Sequence, residues 1–410
     1  MKNFFNVTEL HRVLQYALEF DHLDTEIICL VDAVGRILAE DIVSDMDLPD
    51  FDRSTMDGYA LYAASTFGAS EGNPAYLEVV GEVCMGETPA FSVKPGNAAK
   101  ISTGGMMPKG ADGVVMIEHT DVVDGNTIEV NRSVAPGQHV IQKGEDKKKG
   151  EVALNAGCLL RPQEAGLIAA FGGEWVKVYK KPVVSIISTG DEIVPIHAIP
   201  GLGEIRDINS YSLSGMVKNS GGTPVCLGIA KDNFDDLYRV CAKALEHSDM
   251  ILISGGSSVG IRDFTLEVFK SLPEARILVH GISISPGKPT IMARSNNKLV
   301  WGLPGHVASA MVVFEMVVKP FIERIGGMNP ALKRQHKIPA ILSRNLPSAQ
   351  GRVDFIRVRL VQKDGIYWAE PILGKSGLIN TMIKADGLIE IEMNTEGLTK
   401  GTPVWVIPMA

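Results

Sequence analysis

The stretch "DMILISGGSSVGIRDFTLEVFKSL", residues 249 to 272, decides how this chain of 410 residues folds. It opens on a short apolar run that ends in a Gly/Ser loop, the pattern of a strand covered on both faces. Its end, "FTLEVFKSL", has the spacing of an amphipathic helix. Three more runs follow the same rule: "PVVSIIST" (182–189), "TPVCLGIA" (223–230) and "KLVWGLPG" (298–305). Between them lie the helix candidates "SLSGMVKNSGG" (212–222) and "NFDDLYRVCAKALEHS" (233–248). Strands alternating with helices of this length imply βαβ units and a mostly parallel sheet. Ligands of such sheets sit at the carboxyl ends of the strands. The loops "STGDE" (188–192), "SGGSSVG" (254–260) and "GLPGH" (302–306) all follow strands, so they should converge on one edge.

The loop inside the opening stretch leaves two chemistries standing. Gly256-Ser257-Ser258-Val259-Gly260 matches the G-x-S-x-G pattern of a hydrolase nucleophile elbow. The same residues can instead form a loop whose N–H groups cradle an anion. His280 and His306 lie downstream, so residue order does not exclude the hydrolase, although no HGGG-type oxyanion segment precedes the loop. There is no Walker A motif either, because Pro289 follows Gly287-Lys288 where Ser or Thr should stand.

Outward from this domain the texture changes. Residues 7 to 20 have helical spacing, with Thr8 as a plausible N-cap and Glu9 in the first turn. From about 50 to 142, short apolar runs alternate with turns such as Asp124-Gly125-Asn126, which reads as a β-rich module. "VALNAGCLLRPQEAGLIAAFGG" (152–173) returns to helical character. Beyond about 327 the chain is β-rich again, with a hairpin expected through Asp364-Gly365. The domains expected are therefore 1–50 with 143–180, helix-rich and discontinuous; 51–142, an inserted β module; 181–326, the α/β domain; and 327–410, a terminal β module.

Composition narrows the function classes. A formal charge of −8 argues against a nucleic-acid surface, which normally carries a basic stripe. Five scattered cysteines without a C-x-x-C pair argue against a disulfide framework or a zinc site and fit a reducing cytoplasm. The first twenty residues lack the uninterrupted apolar run of a signal peptide. "VASAMVVFEMVV" (307–318) contains Glu315 and is far short of the ~20 residues a membrane helix needs, so it reads as a buried helix.

The loops carry oxygen donors and a few cations. Asp57-Gly58 in "STMDGYA" (54–60) reads as a turn or a site, and "ISTGGMMPKGAD" (101–112) offers Ser102 and Thr103 as donors. Asp146 lies in the charged loop "KGEDKKKGE" (143–151), where a solvated turn is the plain alternative. Asp191 and Glu192, at the end of a buried strand, suit Mg²⁺ or a helix cap equally. Asn209 and Ser210 precede a helix, where capping alone would account for them. Asp263 lies near the start of another, where it would favour the macrodipole by ~0.3–1 kcal/mol. Lys288 is held between glycine and proline, and Ser309 follows Pro304-Gly305. Together these loops suit an anionic, phosphorylated ligand with Mg²⁺.

Taken in order, "STMDGYA", "STGGMMP", "GED", "STGDE", "DINS", "SGGSSVGIRD", "PGKPT" and "GLPG" resemble the molybdopterin molybdotransferase (MoeA) family over essentially the whole chain. One such motif is a weak sign; the ordered set is a strong one. The resemblance implies a multidomain α/β plus β subunit, elongated, with a central βαβ domain of mostly parallel sheet, an inserted β-rich module and a C-terminal β-barrel-like module. It implies a homodimer whose active site is shared between subunits. It implies insertion of molybdate into adenylylated molybdopterin, with Mg²⁺-dependent release of AMP. A molybdopterin adenylyltransferase and cofactor-accepting apo-enzymes are the partners implied, with no role for nucleic acid or membrane.

Carried over residue by residue, the catalytic set is Asp57, Thr103, Asp146, Glu192 and Asp263, with Asp57, Asp191, Glu192 and Asp263 around Mg²⁺. The loop Gly255, Gly256, Ser257, Ser258 and Gly260 is implied on the nucleotide and phosphate side, Asp232 matches a further acid of the family, and Asn209 and Pro304 are implied as substrate contacts. Lys288, Pro289, Ser309, Arg352 and Ser376 are implied on the oxyanion side. Three departures from the family's common pattern stand out: Ser285 stands for a lysine, His306-Val307 for Asn-Pro, and Gly105 for an alanine. The first two fall on the oxyanion side, which leaves tungstate preference, or a compensating role for His306, as a variant of the same reaction. The more distant alternatives are a serine hydrolase using Ser258, a non-catalytic scaffold, and the adenylyltransferase step itself.

Overall fold

In the computed structural model, the four apolar runs pair side by side. The structure describes residues 7–255, 261–333 and 336–409, with the side chains of 261–263 left out. The chain divides into two compact units, Met1–Glu40 with Ala156–Arg161 and Trp175–Ala410, and Asp41–Asn155 with Pro162–Glu174.

In the first unit, strands β1 (Val183–Thr189), β2 (Thr223–Ala230), β3 (Met250–Gly255), β4 (Arg276–His280), β5 (Ile291–Ser295) and β6 (Lys298–Leu303) form one sheet. Its order is β2-β1-β3-β6-β5-β4. β1, β2, β3 and β6 run parallel, while β5 pairs antiparallel with both β6 and β4. The βαβ expectation holds, with one reversed strand. β3 is buried along nearly its whole length because helices cover both faces. The helix Phe234–His247 shows how sequence sets an element here. Asn233 caps it by accepting from Asp236 N, and Leu237, Cys241, Ala244 and Leu245 form its buried stripe.

The segment from Ile338 to Pro408 closes into a five-strand barrel. Val353–Lys363 pairs with Ile366–Pro371 and with Gly387–Ile391, and the ring runs on through Ile338–Leu342 and Pro403–Pro408. The hairpin turn is Asp364-Gly365, both with positive φ (51° and 77°), as a two-residue turn of this kind requires. A short strand of the α/β domain, Ile284–Ser285, adds to this barrel by pairing in parallel with Val353 and Asp354.

The second unit holds a six-strand sheet in the order Gly113–Met116, Gly58–Leu61, Asn97–Ile101, Ala75–Val83, Thr127–Val130, Thr120–Val122. Two small ribbons accompany it, Arg53–Ser54 with Val140–Ile141 and Ile42–Val43 with Val152–Leu154.

Three local expectations need correction. Thr8 does not cap a helix: it bridges to the α/β domain, donating from N to Gly281 O and accepting at O from Ser283 N. The helix that follows, Leu10–Gln15, has Glu9 at its cap without a side-chain bond. Residues 152–173 are helical only over Pro162–Ala170, because Val152–Leu154 is claimed by the ribbon. The segment 307–318 is buried as expected, but it is a helix Val307–Val313 that passes into a π-helical turn, Phe314–Val318. No helix among the described residues is long and apolar enough to cross a membrane.

Two outcomes follow from this packing. Asn233→Ala should lower stability by about 1 kcal/mol in denaturant unfolding, since the Asp236 N–H loses its side-chain acceptor. Burial pushes the Cys241 thiol up to about 12, whereas Cys84 and Cys226 are exposed. In the native protein at mildly alkaline pH, mass-resolved alkylation should therefore label Cys84 and Cys226 rapidly and leave Cys241 unmodified until unfolding.

Candidate functional site

The carboxyl edge of the sheet gathers acids and hydroxyls. β1 delivers Thr189, whose hydroxyl donates to Asp232 Oδ1 just past the end of β2. Asp232 N lies 3.3 Å from Asp191 Oδ1, so these two acids share one corner. Asp191 and Glu192 are exposed. They lead not into a helix but into Ile193–Val194, which pairs with Ile205–Arg206, so the helix-cap reading falls. Gly255, which ends β3, presses against this corner. A Cβ there would lie 1.9 Å from Thr189 O, so only glycine lets the two strand ends approach.

Capping is not what Asn209 does. Asp207, 7% exposed, receives both Ser188 Oγ (2.9 Å) and Ser210 N (3.1 Å) and so serves the start of Asn209–Asn219. The Asn209 amide instead donates to Ser254 Oγ at 2.6 Å and to Gly305 O at 2.8 Å, linking the ends of β3 and β6. Its Oδ1 is buried without a hydrogen-bond partner. Sequence reasoning missed Asp207, although an Asp two residues before a helix is a recognisable start signal.

Beside this edge lies a pocket of about 360 Å³. Its lining brings together Gly255, Lys288, Pro289, Pro304, Ser309, Arg352 and Ser376 from widely separated positions in the sequence, and Ser285 and His306 line it too. The turn carrying Lys288 is fixed from below. Thr290 Oγ1 donates to Gly287 O at 2.7 Å, and a Cβ on Gly287 would sit 2.4 Å from Val313 Cγ2. Arg352 arrives from the barrel because Ile284–Ser285 pairs with Val353 and Asp354. Its Nε lies 2.9 Å from Asp354 Oδ1, an ion pair off the hydrogen-bond axis, while Ser348 Oγ donates to the other oxygen at 2.7 Å. Ser376 comes from the segment after Ile366–Pro371. Its carbonyl accepts from Ala308 N at 3.0 Å and its hydroxyl lies 3.0 Å from His306 Nδ1. Arg357 steadies that segment, donating to Gly374 O and to Thr381 Oγ1, and burial pulls its guanidinium below the ordinary arginine value. Asp354 and Arg357 lie in an apolar β run and gave no signal of their own in the sequence.

The other loops belong to the second unit. Asp57 is exposed just before Gly58–Leu61, and its Oδ1 accepts from Thr103 N at 2.7 Å, so Thr103 acts here through its backbone. The two loops are laced together by Gly104 N to Ser54 O and Ser54 N to Gly105 O. Gly105 has a steric reason: a Cβ there would lie 2.7 Å from Ile101 Cγ1 and 2.9 Å from Ser102 O. Asp146 is exposed and lines a cleft of about 380 Å³ with Arg53, Glu145 and Leu48. Nearby, the Lys149 backbone N–H holds the Asp47 carboxyl below the usual carboxylate range.

Gly256, Ser257, Ser258 and Gly260 lie outside the described residues, as does the side chain of Asp263, whose backbone belongs to the helix Ile261–Ser271. Among the described residues no three His, Cys, Asp or Glu side chains gather closely enough to hold a metal alone. Asp191, Asp232 and Glu192 nevertheless offer only oxygen donors, which suits Mg²⁺. That ion is commonly held by one or two carboxylates together with substrate phosphates and water.

Comparison with known proteins agrees along the whole chain. Residues 6–172 match the MoeA N-terminal region (domain I and II), 185–324 a probable molybdopterin binding domain, and 339–409 the MoeA C-terminal region (domain IV). A putative molybdopterin biosynthesis protein of Methanocaldococcus jannaschii is 39% identical over 91% of this chain and 89% of its own. The molybdopterin molybdenumtransferase of Bacillus subtilis is 33% identical over 94% of this chain and 90% of its own. The crystal structure of the molybdopterin biosynthesis MoeA protein from Pyrococcus horikoshii superposes with a TM-score of 0.83 at 34% identity, covering 98% of this chain and 100% of that one. The chain belongs to the MoeA family, whose work is molybdenum cofactor biosynthesis.

Proposed function

We propose that this protein is a molybdopterin molybdotransferase that inserts molybdate into adenylylated molybdopterin, releasing AMP in a Mg²⁺-dependent step. The observation that carries this is the pocket where Lys288, Ser309, Arg352 and Ser376 meet beside the carboxyl edge of the sheet. No carboxylate is among the described residues that line it, and two cationic side chains are. Such a pocket suits a tetrahedral dianion, each charge-assisted bond contributing ~1.5–3 kcal/mol.

The adjoining corner of Thr189, Asp191, Glu192 and Asp232 would hold Mg²⁺ through the phosphate oxygens of the adenylylated substrate, with Asp263 as a further acid. Bound there, the ion neutralises phosphoanhydride charge and that developing on the AMP leaving group. This chain's own residues orient. Asn209 ties the ends of β3 and β6 so that the nucleotide corner and the oxyanion pocket keep a fixed spacing. Gly255 lets the end of β3 close against Thr189 of the nucleotide corner, and Lys288 and Arg352 fix the oxyanion.

Within this reading the protein works in the cytoplasm as a homodimer. Asp57, Thr103 and Asp146 of a second subunit complete the site. An adenylyltransferase delivers the substrate and apo-enzymes take the product. A tungstate-preferring version of the same reaction is the competing form, because Ser285 and His306 both line the oxyanion pocket. Purified protein with adenylylated molybdopterin, molybdate and Mg²⁺ should release AMP, and chelation should stop it. Absence of AMP with a folded protein would overturn this reading and favour a scaffold. Asp263→Asn should slow AMP release by about 10²–10³-fold, the usual loss for one electrostatic stabiliser. Lys288→Ala should weaken molybdate binding about tenfold or more while leaving adenylylated substrate bound, as read by calorimetry. Tighter tungstate than molybdate binding in the same titrations would select the tungstate form.

A further inference from the structure

We propose that His306 and Ser376 act as one charge-reading pair at the pocket: with the imidazole protonated both donate to a tetrahedral dianion, and with it neutral one of them faces the dianion with a lone pair. This rests on the reading of the pocket as an oxyanion seat. Both residues line it, and His306 Nδ1 lies 3.0 Å from Ser376 Oγ. When the neutral ring carries its proton on Nε2, Nδ1 can only accept, so the Ser376 hydroxyl hydrogen turns to the ring. Oγ then offers the pocket only lone pairs. When the proton sits on Nδ1, the ring donates to Ser376 and frees the hydroxyl hydrogen, but Nε2 becomes a bare acceptor. Only the imidazolium makes Nε2–H and the Ser376 hydroxyl donors at once. An oxyanion has no hydrogen to return, so every lone pair aimed at it is repulsive.

The surrounding charges give this pair its weight. Arg352 reaches the pocket with its own counterion, since Asp354, whose side chain is 4% exposed, lies 2.9 Å away. Lys288 supplies a second cation on the lining. Lys375, exposed, precedes Ser376 in the chain. The helix Val307–Val313 that follows His306 carries no charged side chain, and Asn209 reaches Gly305 with a neutral amide. A dianion therefore meets Lys288, an arginine shared with Asp354, and a third group whose charge follows pH. Because the dianion favours the imidazolium, binding takes up a proton, and affinity falls as pH is raised.

Calorimetric titration of the full-length protein with dilute molybdate alone, at about pH 6 and about pH 8, tests this. Wild type should bind about tenfold tighter at the lower pH, the worth of one charge-assisted bond. His306→Asn and His306→Gln should both bind with the same affinity at the two pH values. Ser376→Ala should show a shallower dependence than wild type. Lys288→Ala, run alongside, reports on the pocket itself. Binding that needs Lys288 but shows the same pH dependence in wild type and in either His306 variant overturns the inference and leaves the pocket assignment standing. Binding unaffected by Lys288→Ala, or no binding at either pH, overturns both.

Discussion

A two-residue strand pairing organises the candidate site. Ile284–Ser285 leaves the α/β domain and hydrogen-bonds alongside Val353 and Asp354 of the barrel. It sets the turn carrying Lys288 beside the barrel edge carrying Arg352, over a core that Phe355 and Leu388 share with the α/β domain. The pairing is reinforced by Val353 N donating to Ser283 O, and Ser283 in turn bonds Thr8. Three distant segments thus meet at the base of one pocket. The far side is closed by Ser376, held to the start of Val307–Val313 through Ala308. The site is an assembly of loops locked by backbone bonds, so its precision depends on the scaffold and not on any one side chain.

Charge is distributed across this assembly with a division of labour. Acids collect at the ends of β1 and β2, where Thr189, Asp191 and Asp232 share a corner. Cations collect in the neighbouring pocket, among whose described lining residues there is no carboxylate. Asp354, beside the Arg352 of that pocket, is buried and committed to Arg352 and Ser348. Asn209 spans the two regions with a neutral amide, which lets them sit close without mixing their charges. In the proposed reaction this separation would suit a substrate bearing a metal-bound phosphoanhydride at one end and an oxyanion acceptor at the other.

Much of this was legible in the sequence because β1, β3 and β6 are short, mostly apolar runs that end in glycine or proline loops and are buried as expected. In contrast, β2, read the same way, is a largely exposed edge strand. The loops at their carboxyl ends followed from topology alone, and Lys288, Ser309, Arg352 and Ser376 do share one pocket. What stayed hidden depends on long-range pairing. The Ile284–Ser285 strand is too short to carry a period, and Thr8 looked like a helix cap because its bridge to Ile282 spans most of the chain. Asp354 and Arg357 sit in a strand whose pattern gives no hint which face meets a loop. Asn209 was ambiguous because an amide before a helix is ordinarily a cap, and Asp207 took that role instead.

The central claim is that an oxyanion seats between Lys288, Ser309, Arg352 and Ser376. Anomalous diffraction at the tungsten edge from crystals of the protein soaked in tungstate locates that ion without assumptions about its neighbours. The account expects a principal peak inside this pocket, within hydrogen-bond reach of Lys288 and Arg352. A principal peak elsewhere on the chain, with this pocket empty at saturating tungstate, would contradict it.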